Sequence, residues 1–115
     1  MKYDAHAYRN VGPNRMWRIS DGDPVVRVGR FTVEAGSVEE ALEVLWAVGN
    51  RMAQDANGNI WPSDHPSMSM GDVVLIRVSD GSYLPPFTSY VAVMVGWEMV
   101  ADQHFPVVAA DPLLV

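Results

Sequence analysis

The sequence predicts an α+β domain in which one N-capped helix packs on a small antiparallel or mixed sheet, in the order ββαββ. Three observations predict this fold: a helix-start signature, a helical apolar stripe behind it, and strand-like segments on both sides. The chain has 115 residues, of which 49% are hydrophobic, enough to form one core. We therefore treat residues 1–115 as a single domain.

Two strands are predicted before the helix. Residues 3–9 form a short strand with modest alternation, and residues 25–35 form the clearest strand of the chain. Turn-forming clusters of Gly, Pro, Asn and Asp separate them. Residues 15–19, between these turns, are a short strand or a loop that places Trp17 on the core.

The second of these strands changes its apolar parity partway along. Val26 and Val28 share one face, whereas Phe31 and Val33 have the opposite parity. A regular strand cannot bury both pairs on one face, because its side chains alternate with a period of two. A bulge restores the register, and glycine permits one. We therefore predict a bulge at Gly29.

The helix is predicted to begin at Ser37 and to continue to about Gln54. Ser37 is a good N-cap, and Glu40, three residues later, completes a capping box. Gly49 lies on the apolar stripe, where it indicates a close helix–sheet contact. The stripe follows helical spacing and comprises Val38, Ala41, Leu42, Leu45, Val48, Gly49 and Met52.

The second half of the chain is predicted to contain two more strands. Residues 60–71 form an irregular, proline-containing loop, and residues 72–78 form a strand covered on both faces. A long connection, residues 79–87, leads to an alternating strand at 91–99. The tail, residues 101–115, is apolar and interrupted by prolines, so it either packs on the domain or forms an interface.

Composition excludes several classes of function. The net charge is −6, and the eight Lys and Arg residues are scattered along the chain, so we expect no direct nucleic-acid binding. No apolar run is long enough to span a membrane, and no secretory signal is visible. Cysteine is absent, which fits a reducing compartment. We expect a protein of the host bacterial cytoplasm that binds no membrane.

No constellation of residues predicts catalysis. The sequence lacks phosphate-binding glycine motifs, a nucleophile elbow and histidines at metal-ligand spacing, so we expect no cofactor, no metal and no enzyme. The alternative is a small hydrolase or metal-binding domain that uses Asp64, His65 and Asp72. These residues are otherwise interpreted as polar side chains that cap turns.

Tryptophan and methionine are abundant for a small chain. Most of these side chains are expected in the core, but Trp and Met are also enriched at protein interfaces. Trp46 lies off the apolar stripe of the helix. Three further candidates, Trp61, Met68 and Met70, lie in the loop that follows the helix. The residues predicted to bind a partner are Trp46, Trp61, Met68 and Met70, with Glu39 and Glu43 on the outer side of the helix.

One stretch resembles a known family. Residues 65–74 read HPSMSMGDVV, and a later strand ends in Val95, Gly96 and Trp97. This pattern resembles the YodL-like and related domains of plasmids, integrative elements and phages, including small accessory proteins of actinobacteriophages such as mycobacteriophages. Those domains typically read RSLSV(S/G)DVV before a strand that ends in GF or GW. Met68 and Met70 replace the usual Leu and Val, and the pattern brings no catalytic residues with it.

The resemblance implies a non-enzymatic accessory protein of a phage or mobile element that acts by binding a host or phage protein. A homodimer is a further option, as is a self-assembling structural protein. The main alternative is an acidic DNA mimic with antirestriction activity. That alternative requires one contiguous negative face, built from Asp21, Asp23, Glu34, Glu39, Glu40 and Glu43.

Overall fold

The fold was obtained as a computed structural model, which describes residues 1–13, 18–79, 87–93, 96–100 and 103–108. Its elements follow in the order β1 (Lys2–Asn10), β2 (Val25–Glu34), α1 (Val38–Gly49), β3 (Val73–Val78), β4 (Thr88–Val93), β5 (Gly96–Met99) and β6 (Val107–Val108). Trp17, the connection 80–86 and the end of the tail, 109–115, lie outside the described residues.

The strands of the described chain form one six-stranded sheet in the order β5-β4-β3-β1-β2-β6. Neighbouring strands are antiparallel except for β2 and β6, which are parallel, so the sheet is mixed. The predicted ββαββ arrangement of one helix on a small sheet is therefore wrong. The fold is dominated by its sheet, and α1 is the one helix in the described ranges.

Two features of the second half account for this correction. The alternating segment predicted as one strand is a hairpin, because Val93 pairs with Gly96 and Ala92 with Trp97. A short connection between paired strands preserves the alternation, so the pattern does not reveal the turn. The second feature is the tail, where Val107 and Val108 add to the edge of β2 despite the neighbouring proline.

Strand β1 lies near the centre of the sheet and pairs with both β2 and β3. Its side chains alternate between the two faces. Tyr3, Ala5 and Ala7 belong to the larger core cluster, together with the buried side of α1. A smaller cluster on the opposite face is formed by Ile19, Val25, Val73, Val91 and Val100.

The predicted bulge in β2 is confirmed one residue from the expected glycine. Gly29 pairs with Ala7, but Tyr8 pairs with Arg27, so the register shifts and Val28 is passed over. The extra residue brings Phe31 and Val33 onto the face of α1, where both are buried. The change of apolar parity in the sequence is therefore caused by this bulge.

The start of α1 is confirmed, whereas its end is earlier than predicted. The Ser37 hydroxyl accepts a hydrogen bond from the Glu40 N–H, and the Glu40 carboxylate accepts one from the Gly36 N–H. The helix ends at Gly49, and Arg51 adopts a left-handed conformation with φ of 61°. The N–H groups of Arg51 and Met52 donate to the carbonyls of Val48 and Ala47, which is the Schellman pattern.

No helix in the part of the chain that the structure describes is long and apolar enough to cross a membrane.

Candidate functional site

The most distinctive surface feature is a groove between the outer side of α1 and the β4–β5 hairpin. It has a volume of about 350 Å³ and is lined by Glu43, Trp46, Val93, Gly96 and Trp97. We call it the Trp46–Trp97 groove. The two indole rings meet edge to face, with 6.3 Å between their centroids and an angle of 86° between their planes.

Each wall of the groove follows from its local structure. Trp46 lies off the buried stripe of α1 and is 37% exposed. Trp97 pairs with Ala92 across the hairpin and is half-buried, packed against the larger core cluster. Gly96 has φ of 101°, and a Cβ atom there would meet nothing within 4 Å. The groove is therefore open at Gly96, where glycine is required by the backbone conformation and not by close packing.

The rim of the groove carries negative charge. Glu39, Glu43 and Trp46 are separated by four and three residues, so they share one exposed side of α1. The last turn of the helix contains no basic residue. The groove therefore offers two aromatic surfaces beside carboxylates, an arrangement suited to an apolar side chain with a neighbouring cation.

The loop residues predicted for partner binding lie elsewhere. Trp61 is 3% exposed, stacks on Phe31 at 5.6 Å and donates its indole N–H to the Pro66 carbonyl at 2.9 Å. Met68 is equally buried and packs on Gly49. Met70 is half-buried. Trp61 and Met68 thus belong to the core, so of the predicted set it is Trp46 and Glu43 that line the groove, with Glu39 beside them.

The loop after α1 is held in place by one cation. The Arg51 guanidinium donates to the Ser67 hydroxyl at 2.7 Å, to the Pro62 carbonyl at 3.0 Å and to the His65 carbonyl at 2.6 Å. The left-handed backbone at Arg51 directs the chain away from the helix and into this loop. The end of α1 and the loop that covers Trp61 are therefore one connected unit.

Asp72 has a structural role. It is 3% exposed, and its two carboxylate oxygens accept hydrogen bonds from the backbone N–H groups of Asn10 and Ser69. Burial raises the pKa of Asp72 to about 6, although these N–H groups and the charge of Arg9 act in the opposite direction. Within the described ranges, no three His, Asp or Glu side chains are grouped to hold a metal ion.

Trp97 is the main groove residue that is absent from the set predicted to bind a partner. Its alternation with Val95 and Met99 predicts a core position in a continuous strand. The hairpin turn changes this, because it brings Trp97 back beside Ala92 and opposite Trp46. A turn signal at Gly96 is the one feature that indicates this placement in advance.

Comparison of the chain with protein-family models, with curated proteins and with solved structures finds no match. The resemblance to YodL-like domains therefore stays a prediction, and the function is argued below from the geometry of the molecule itself.

Proposed function

We propose that the chain is a non-enzymatic protein that binds a segment of another protein in the Trp46–Trp97 groove. The observation that carries this proposal is the edge-to-face pair of Trp46 and Trp97, which forms two walls of an open cavity on the surface. Tryptophan is the residue most enriched where truncation costs an interface most binding energy, and such residues cluster around pockets.

The chemistry of the groove defines the segment it fits. The apolar walls favour one large aliphatic or aromatic side chain, and the Glu43 carboxylate at the rim favours a Lys or Arg next to it. The charge of the whole chain, −6, acts in the same direction by attracting a basic partner. We therefore propose a partner segment that combines an apolar anchor with an adjacent basic residue.

The biological setting of this proposal rests on the resemblance of residues 65–74 to YodL-like domains. It favours an accessory protein of a phage or mobile element in the cytoplasm of its host, with a host or phage protein as the partner. A second copy of the chain is the other partner to be tested. A homodimer would show a mass of twice 12.7 kDa by sedimentation.

The acidic residues do not support a DNA mimic as a second candidate. Asp21 and Asp23 precede the first residue of β2, whereas Glu34 is its last residue. A strand of this length separates its ends by about 30 Å at about 3.3 Å per residue. Asp21 and Asp23 are therefore separated from Glu34 by the length of β2, and Glu39, Glu40 and Glu43 lie on α1. This distribution does not favour the single contiguous face that a mimic requires.

Selection of a random peptide library on the immobilised 115-residue chain tests the proposal. We expect the enriched peptides to share a large apolar residue next to Lys or Arg, and to lose binding when Trp46→Ala replaces the wild type. Glu43→Gln should weaken binding and reduce its salt dependence. Met52→Ala is the matched control, because Met52 is exposed and lies outside the groove. Enriched peptides that bind Trp46→Ala as well as the wild type would refute the proposal.

A further inference from the structure

The sheet face opposite α1 brings together cations that are distant in sequence. On β1, His6 lies opposite Arg30 of β2 and Leu75 of β3. Two residues before His6, on the next rung of this face, Asp4 lies opposite Arg77. Two residues after His6, on the rung to the other side, Tyr8 lies opposite Arg27. Antiparallel pairing therefore places three arginines and one histidine on adjacent rungs of three strands. We call His6, Arg27, Arg30 and Arg77 the sheet-face cluster.

This cluster is locally positive in an acidic chain. The protein has 14 acidic and eight basic residues, yet three of the eight lie on these rungs. Asp4 is the one acidic residue of β1, β2 and β3 on the same rungs. Its buried carboxylate lies 3.3 Å from the guanidinium of Arg30, which is itself 56% exposed. These rungs therefore carry one carboxylate and three guanidinium groups.

Arg77 is held by an aromatic ring. Its guanidinium carbon lies 4.2 Å from the centroid of the Phe87 ring, and the same ring meets His6 edge to face at 5.0 Å. The Nε atom of Arg77 is buried and has no hydrogen-bond partner among the described residues. The ion pair of Asp4 is formed with Arg30, and among the described residues no carboxylate forms one with Arg77, so the Arg77 charge can still attract an anion.

A cavity adjoins the cluster on the same face. It has a volume of about 280 Å³, with Tyr8, Leu75 and Ser89 along the strands and His104 and Phe105 from the segment before β6. Leu75 is the cross-strand neighbour of His6, and Tyr8 is that of Arg27. Such neighbours have Cβ atoms about 5 Å apart, so the cavity begins where the cluster ends.

The electrostatic environment of His6 agrees with a positive field. Burial lowers the pKa of His6, and the charges of Arg27, Arg30 and Arg77 lower it further, while Asp4 acts in the opposite direction. Burial disfavours a charge of either sign, whereas the repulsion from the three arginines acts on a cation and becomes attraction for an anion. The cavity side chains Tyr8 and Phe105 supply aromatic surface next to that position.

We propose that this face binds a small ligand with an oxyanion, phosphate or carboxylate, attached to an aromatic ring. The ring occupies the cavity against Tyr8 and Phe105, and the oxyanion contacts Arg27 and Arg30 beside His6. A planar guanidinium group can donate two parallel hydrogen bonds to two oxygens of either a carboxylate or a phosphate. The size of the cavity limits the ligand to a small molecule, and the net charge of −6 opposes a polyanion. The site is independent of the Trp46–Trp97 groove, which lies on the side of α1.

NMR titration of the ¹⁵N-labelled 115-residue chain tests this proposal. The probes are phenyl phosphate, benzoate, inorganic phosphate and benzyl alcohol. We expect saturable shifts at His6, Tyr8, Leu75 and Ser89 with the two ring-bearing anions, and the tighter of these identifies the preferred oxyanion. Inorganic phosphate should bind about tenfold more weakly than phenyl phosphate, because it lacks the ring, and benzyl alcohol should cause no shifts there. Chemical-shift changes and affinities that are the same for all four probes would overturn the proposal.

Matched variants and one further measurement complete the test. Arg27→Gln and Arg30→Gln should each weaken phenyl phosphate binding about tenfold. Lys2→Gln removes one charge from the same face of β1, about 13 Å from His6, and should leave the affinity within twofold. Binding should also raise the pKa of His6 in the unsubstituted chain. Affinity that is unchanged in both arginine variants, or a His6 pKa that does not move at saturation, would refute the site.

Discussion

Gly49, the last residue of α1, and Met68, in the loop that follows, are in direct contact. The Met68 N–H donates to the Gly49 carbonyl at 2.9 Å, and a Cβ atom added to Gly49 would lie 2.6 Å from the Met68 Cβ. That separation is too short for two carbon atoms. The close approach predicted for Gly49 is thus present, but its partner is this loop and not the sheet.

Gly49→Ala is therefore expected to destabilise the protein. Helix propensity alone predicts a gain of about 1 kcal/mol for this change. Overpacking against Met68 costs about 1–3 kcal/mol, so we expect the free energy of unfolding to fall by about 1 kcal/mol overall. Urea denaturation of both proteins measures the difference.

Ala47→Gly in the same helix provides the control for this test. It should lower the free energy of unfolding by about 1 kcal/mol through propensity alone. Adding a methyl group at position 49 and removing one at position 47 should therefore both destabilise the protein. A Gly49→Ala variant that is more stable than the wild type would show that the loop does not approach the helix so closely.

Arg51 combines a left-handed backbone with a side chain that fixes the loop, and two substitutions separate these roles. Arg51→Gly relieves the backbone cost but removes the hydrogen bonds to Pro62, His65 and Ser67. Arg51→Ala removes the same bonds without that relief. We expect Arg51→Ala to be less stable than Arg51→Gly by about 1 kcal/mol.

Hydrogen exchange distinguishes the loop from the rest of the molecule. The indole N–H of Trp61, which donates to Pro66, should exchange faster in both Arg51 variants than in the wild type. The amide groups of β1 should exchange at the same rate in these variants as in the wild type, as long as the loop opens without unfolding of the sheet. Unchanged exchange at Trp61 in both variants would contradict the role of the guanidinium.

The buried carboxyl group of Asp72 makes stability depend on pH. Burial raises its pKa from 3.8 to about 6, so between these values the folded state binds the proton more tightly than the unfolded state. Stability contributed by this group is fully present below about pH 4 and is lost as the pH rises through 6. The loss amounts to about 3 kcal/mol for a shift of about two units.

Asp72→Asn supplies the reference for this prediction, because the amide does not titrate. The free energy of unfolding of the wild type, minus that of Asp72→Asn, should decrease by about 2.4 kcal/mol from pH 4 to pH 7. The ¹³C resonance of the Asp72 carboxyl group should titrate near 6. A titration below 4 would show that the N–H groups of Asn10 and Ser69 outweigh burial.

Features set by neighbouring residues could be predicted from the sequence. Ser37 and Glu40 define the start of α1 because capping involves groups three residues apart. The parity change around Gly29 predicted a bulge because side-chain alternation is a local property of a strand. The exposure of Trp46 followed from helical spacing in the same way.

Features set by distant contacts could not be predicted in this way. The predicted helix runs past Gly49 because Arg51 is not a glycine and gives no helix-end signal. The left-handed backbone of Arg51 accompanies hydrogen bonds from its side chain to a loop residue 16 positions away, Ser67. Trp61 is buried because it stacks on Phe31 of β2. The sheet-face cluster depends on the pairing of three strands, which no spacing along the chain reveals.

The most direct test of the proposed function is the affinity of a selected peptide, measured by calorimetry, for the wild type, Trp46→Ala and Met52→Ala. We expect Trp46→Ala to weaken binding at least about 30-fold, which corresponds to about 2 kcal/mol for a central interface tryptophan. Met52→Ala should bind within twofold of the wild type. A Trp46→Ala variant that retains wild-type affinity would contradict the proposal that the Trp46–Trp97 groove is the binding site.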